Sequence, residues 1–185
     1  LAVALPCPLK PPTMTTHPLL VQGTASRFVQ RWLSADPARA AELEQLAELS
    51  LDQLDLAELL RQQLAHAPTL PSAMRRLRNL LVAAIVTRDL SGRAELNEVL
   101  SAISHFADFV VNTHLAARYR DMCDQHGVPT GEESGRSQHL IVVGMGKLGG
   151  HELNVSSDID LIFLYPEEGE TVCTRDEQQI GRAHV

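Results

Sequence analysis

The stretch that most constrains this chain is residues 139–165, HLIVVGMGKLGGHELNVSSDIDLIFLY. Residues 140–143 form a short apolar, β-branched run, long enough for a buried strand and too short for a helix. Gly144, Gly146, Gly149 and Gly150 follow, where the backbone can approach a ligand with no Cβ in the way. Asp158 and Asp160 stand two apart, directly before the apolar run 161–165. A strand repeats every two residues, so if the acids open that strand both carboxylates point to one side. Two carboxylates on one face beside a glycine-rich turn make a seat for a divalent cation holding nucleotide phosphates.

Residues 144–149 also fit G-x-G-x-x-G after a strand, the dinucleotide fingerprint. That fingerprint needs a full helix after the glycines, then a second strand with an acid at its far end. Only residues 148–157 separate the glycines from the aspartates, and the acids precede the apolar run. The context argues against a dinucleotide fold and for a nucleotidyltransferase site of the DNA polymerase β type. That superfamily has a glycine-led turn after a first strand, a short helix, and D-x-D opening a second strand. The twelve positions from Gly146 to Asp158 suit its pattern, although its members usually carry Gly-Ser where this chain has Gly146-Lys147.

The longer string G-K-L-G-G-x-E-L-N-x-S-S-D-I-D-L-I-F, residues 146–163, resembles the bifunctional glutamine synthetase adenylyltransferase/adenylyl-removing enzyme family. Glu152-Leu153-Asn154 and Ser156-Ser157-Asp158-Ile159-Asp160 look like the amino-terminal, adenylyl-removing copy of its two catalytic domains; the carboxy-terminal copy tends to read E-L-G-x-G-S-D-L-D. The resemblance implies phosphorolysis of AMP from a tyrosine of glutamine synthetase, with phosphate as the attacking group and ADP released. It implies Mg²⁺ on Asp158 and Asp160, with phosphate oxygens on the backbone amides from Gly146 to Gly150, Gly149 included. Lys147 then adds positive charge or stands as a solvated loop lysine. Ser157 hydrogen-bonds a phosphate or orients Asp158, Ser156 caps the turn, and Glu152 and Asn154 are expected to be local structural residues. A PII-type signalling protein is the partner implied beside glutamine synthetase, in the cytoplasm, and ATP is the nucleotide of the opposite reaction. A third carboxylate is expected from a later strand, and residues 166–170 read as a turn with solvent-facing acids, so this stretch alone is expected to be inactive. Transfer of AMP from ATP, and a non-catalytic nucleotide-sensing module, remain as alternatives.

The net charge of −7 argues against a general nucleic-acid binder, which needs basic surface to neutralise phosphates. No apolar run approaches the roughly 20 residues of a membrane span. Cys7, Cys123 and Cys173 lack a framework spacing, which fits a reducing compartment. Cys123 and His126 form C-x-x-H without a second pair to complete a zinc site.

The remainder reads as helical scaffold, giving an α+β chain: a helical bundle at 24–130, then the beginning of a nucleotidyltransferase-like domain at 131–179. Residues 1–23 read as a disordered or non-native leader with translation starting at Met14, and 180–185 as a non-native tail. Phe28, Val29, Trp32 and Leu33 share one helical face. Asp36-Pro37 predicts a helix start, with Leu43, Leu46 and Leu49 as its stripe. A helix is predicted over 52–66 on Leu56, Leu59, Leu60 and Leu64, stopped by Pro68, and another from Ser72 to about Leu90. Arg75, Arg76 and Arg78 are expected on a solvated face. A long helix follows from Glu95 to about Gln125, bearing His105 and His114 as packing or surface residues. Gly127-Val128-Pro129 ends it, and residues 130–138 read as a loop.

Overall fold

The computed structural model describes residues 18–172. The expectations placed on Cys7, Met14, Cys173 and 180–185 fall outside that range. The described chain is mostly helical, with two small antiparallel sheets. It divides into two compact units. One comprises the described residues of Leu1–Ser50 together with Arg78–Ala94; the other comprises Leu51–Leu77 and the described residues of Glu95–Val185. A single helix, Leu70–Leu90, contributes residues to both.

The first unit contains α1 (Pro18–Gly23), α2 (Arg27–Ala35) and α3 (Arg39–Glu48) with the later part of α5 (Leu70–Leu90). Residues 18–23, expected to belong to the leader, are helical instead, and Leu20 is buried. Val29, Leu43, Leu46, Leu80, Leu81 and Ile85 make the core, as the leucine spacing requires. Asp36, expected as the N-cap, instead closes α2; its carboxylate accepts from the Ala38 amide at 3.1 Å in the turn before α3, whose own N-cap position is Ala38. The end of α5 is a Schellman turn: the Gly92 amide (φ +68°) donates to the Asp89 carbonyl and the Arg93 amide to the Arg88 carbonyl. Buried Arg88 donates to the Ala47 carbonyl at 3.0 Å and to the Arg93 carbonyl at 3.1 Å, joining α3 to that turn.

The second unit begins with a 3-10 turn at Leu51–Gln53 and α4 (Leu56–Leu64). The helix predicted from 52 starts four residues later because Asp55 takes the cap, its carboxylate accepting from the Ala57 and Glu58 amides, both at 3.0 Å. Helix α5 opens at Leu70, ahead of the predicted Ser72. Thr69 and Ser72 exchange side-chain to backbone hydrogen bonds at 3.2 and 3.4 Å, a capping box with serine in the usual glutamate position. Arg75, Arg76 and Arg78 are exposed, with Arg76 reaching Gln63 at 3.2 Å.

Helix α6 (Leu96–His126) ends where Gly127, at φ +94°, donates to the Cys123 carbonyl, as the glycine predicts. Two expectations then fail. Thr130 and Gly131, expected to open the 130–138 loop, belong to strand β1 (Val128–Gly131), and Gly169–Val172, within and beyond the expected 166–170 turn, is strand β4; they pair antiparallel with Val128 opposite Val172. Pro129 and two glycines hid this ribbon, since strands are normally depleted in both types. Between β1 and β4 lie β2 (Ile141–Gly144), α7 (Gly146–Gly149) and β3 (Leu161–Leu164), with β2 and β3 antiparallel in a second two-stranded sheet. The buried strand expected at 140–143 is only half covered: Ile141 and Val143 are exposed, while Val142 and Gly144 turn toward Asp108 and Val111 of α6. A ribbon of two strands packed on one helix has an uncovered face, so its all-apolar sequence does not bring full burial.

Candidate functional site

The site is the connection between β2 and β3. Met145 leaves β2 in extended conformation, and Gly146 at φ +54° turns the chain into α7, a left-handed start that favours glycine. Helix α7 is a single turn. The Gly149 and Gly150 amides donate to the Met145 and Gly146 carbonyls at 3.2 and 3.0 Å, so they close the turn. The amides left without intrahelical partners by helix geometry are therefore those of Gly146, Lys147 and Leu148. Gly149 serves close approach: a Cβ there would stand 2.6 Å from the Gly144 carbonyl oxygen.

Two leucines fix the ends of the connection. Leu148 and Leu153 are buried, and the Leu153 amide donates at 3.2 Å to the hydroxyl of Ser104, a fully buried serine of α6. His151 between them has φ +54°, which lets the chain reverse. Asn154 then organises the approach to the acids. Its side-chain oxygen accepts from the Ser156 amide and hydroxyl, each at 3.2 Å, and from the Ser157 hydroxyl at 2.8 Å. Lys147 Nζ lies 3.4 Å from Ser157 Oγ.

Asp158 and Asp160 are both exposed. They precede β3 rather than opening it, yet Asp160 is in register with the sheet, because the Met145 amide donates to its carbonyl at 2.9 Å. Asp160 Oδ2 lies 4.0 Å from where a Cβ on Gly146 would stand. The structure thus brings together the glycine turn, Lys147, Ser157 and Asp160, with Asp158 two residues upstream. The donors suit a hard divalent cation, and magnesium is commonly held by one or two carboxylates plus substrate phosphates. Among the described residues no group of three or more His, Cys, Asp or Glu side chains converges.

The antiparallel pairing of β2 with β3, and the four-residue α7, remove the dinucleotide alternative, which requires parallel strands joined by a full helix. A sequence model of the family described as glutamate-ammonia ligase adenylyltransferase matches residues 19–183. The chain belongs to the glutamate-ammonia ligase adenylyltransferase family. Among curated relatives, the bifunctional glutamine synthetase adenylyltransferase/adenylyl-removing enzyme of Chromobacterium violaceum is 48% identical over 147 residues. The proteins of that name from Ralstonia nicotianae and Nitrosomonas europaea are 48% and 41% identical over 153 and 151 residues. Each alignment covers 79% of this chain and 16% of the relative.

Within this family member, two features escaped sequence reading. Ser104 sits on α6 far from the motif in sequence, so only packing reveals its bond to Leu153. Glu167, expected to face solvent, is half-buried and accepts from the Ser134 hydroxyl, from the Glu133 and Ser134 amides at 3.1 Å, and from Gln138 at 2.8 Å. The Ser134 hydroxyl is the main cause holding its carboxyl below the usual 4.5. Glu167 thereby ties the polar loop after β1, and a Cβ on Gly131 would collide with its carboxylate. Cys123 lies beside the Tyr119 hydroxyl; burial first, and the thiol second, push that phenol's pKa up. The Tyr119 and His139 rings meet with centroids 4.5 Å apart. His105 is exposed and His114 half-buried. No helix among the described residues is long and apolar enough to cross a membrane.

Proposed function

We infer that this chain carries the phosphate- and metal-binding turn of a site that removes AMP from adenylylated glutamine synthetase. The observation that supports the reading best is the placement of the Asp160 carboxylate against the Gly146 turn, with Asp158 two residues before it and Lys147 beside Ser157. A phosphate oxygen attacks the AMP phosphorus, the bond from phosphorus to the tyrosine oxygen breaks, and ADP and a free phenol result. Asp158 and Asp160 are the residues that would hold Mg²⁺, which when bound offsets charge building up on phosphate oxygens. The N–H groups of Gly146, Lys147 and Leu148 would donate to phosphate oxygens, and Lys147 would add a positive charge. Family membership, and the name its relatives carry, support glutamine synthetase as the macromolecular substrate.

The test uses the full-length protein containing this stretch and measures phosphorolysis of adenylylated glutamine synthetase. Asp158→Asn and Asp160→Asn are each expected to lower turnover by at least about a hundredfold while the far-ultraviolet spectrum is unchanged. Wild-type turnover in either variant refutes the assignment. The same variants assayed for AMP transfer from ATP distinguish the removing direction from the adding one. The 185-residue chain alone, which spans 16% of the relatives' length, is expected to give no turnover.

A further inference from the structure

Asn154 follows Leu153, whose amide and side chain are both anchored, so its position is set by α6 rather than by the exposed turn it begins. One of its three side-chain partners is the Ser156 backbone N–H. A backbone N–H only donates, so the atom it meets is the amide oxygen and not the nitrogen. That settles the direction of the neighbouring bond. The Ser157 hydroxyl has one proton, and at 2.8 Å from an obligate acceptor that proton goes to Asn154. The lone pairs of Ser157 are left for Lys147 Nζ at 3.4 Å, an ammonium that can only donate.

We propose that Asn154 is a positioning residue of the phosphate site: by accepting the Ser157 hydroxyl's hydrogen bond it turns the Ser157 lone pairs toward Lys147, and so holds the ammonium beside the segment leading to Asp158. Ser157 then has no proton for a phosphate oxygen. The remaining protons of Lys147 supply that contact. The proposal rests on the reading that this turn binds phosphate groups, and it replaces a direct phosphate contact by Ser157 with an indirect role.

Lys10 and Lys147 are the two lysines of the chain, so acetylation followed by peptide mass spectrometry reads Lys147 against an internal reference. Without nucleotide, Ser157→Ala and Asn154→Ala should each raise the Lys147 to Lys10 ratio about threefold, the weight of one modest exposed hydrogen bond. The double variant should rise no further than Ser157→Ala alone. Asn154→Asp keeps an acceptor oxygen and should label no faster than wild type. An unchanged ratio in Asn154→Ala, or a raised one in Asn154→Asp, overturns the relay. In the full-length protein with Mg²⁺ and ADP added, wild type and Asn154→Asp should protect Lys147, and Asn154→Ala should lose most of that protection. No protection in the wild-type full-length protein overturns the phosphate-site reading and with it the site role of Asn154. Protection that persists in Asn154→Ala overturns the positioning role alone.

Discussion

Replacing Ser104 by alanine tests whether α6 holds the site segment in place. Ser104 is fully buried, and its hydroxyl accepts the Leu153 amide at 3.2 Å; Leu153 is itself 3% exposed. The substitution removes that acceptor and leaves the amide without water to replace it. An orphaned buried donor costs about 2 kcal/mol, and because the loss falls on the structured form of one segment, it lowers the free energy of opening there by the same amount. At tenfold per 1.4 kcal/mol, exchange of the Leu153 amide proton should accelerate about thirtyfold. The assay is amide hydrogen exchange by NMR on the labelled chain, with the Leu60 amide of α4 as a control in the same unit. Leu60 should change by less than about twofold, since its core contacts are untouched. Unchanged exchange at Leu153, in a chain whose helix content is intact, refutes the claim that this bond restrains the connection between α7 and the aspartates. A thirtyfold increase at both amides also refutes it, because it reports general loosening.

Gly149→Ala should destabilise the second unit by about 2 kcal/mol, because the new methyl meets backbone oxygen at 2.6 Å, whereas Gly150→Ala, whose nearest neighbour is at 3.6 Å, should change it by less than about 0.5 kcal/mol; urea unfolding compares them. Glu167 has a carboxyl held below its ordinary 4.5, so its contribution is complete above that value and is lost as the pH falls through the lowered one. Exchange of the Glu133 and Ser134 amides should therefore rise, beyond the intrinsic pH dependence, on acidification below about 4.5, and Glu167→Gln should flatten that response; an identical profile in both proteins contradicts it. Asp55→Ala should cost about 1 kcal/mol by removing the acceptor of two amides at the start of α4, measured by thermal unfolding.

The sequence carried the parts of this fold whose signals are local. The end of α6 is written in Gly127, and α2 and α3 in apolar faces that the structure buries at Val29, Leu43 and Leu46. The order glycine turn, short helix, paired acids was equally legible, because each piece constrains the next over a few residues. What failed depended on partners distant in sequence. The start expected at 52 fell four residues early, because the cap is settled by the Asp55 carboxylate reaching the amides of Ala57 and Glu58. Strand β1 is recognisable only once β4, forty residues on, is placed opposite it. Glu167 looked like one acid among several because its donors at Glu133, Ser134 and Gln138 belong to the loop after β1, distant from it in sequence. Asn154 was read as local structure; its three accepted hydrogen bonds add the direction in which the Ser157 proton points.

Both β2, with Ile141, Val142 and Val143, and β3, with Leu161 through Leu164, are apolar at nearly every step, so hydrophobicity does little to forbid one strand from sliding along the other. Inserting a single residue between Asp160 and Leu161 would swing both acids to the opposite surface of the ribbon. Inserting two would return an acid-bearing backbone to the original side, displaced along it by one repeat. Odd and even insertions at that junction should therefore differ in kind: the alignment of two greasy strands, held by the Gly144 to Leu161 pairing and the Met145 to Asp160 bond, is what keeps a carboxylate aimed at Gly146.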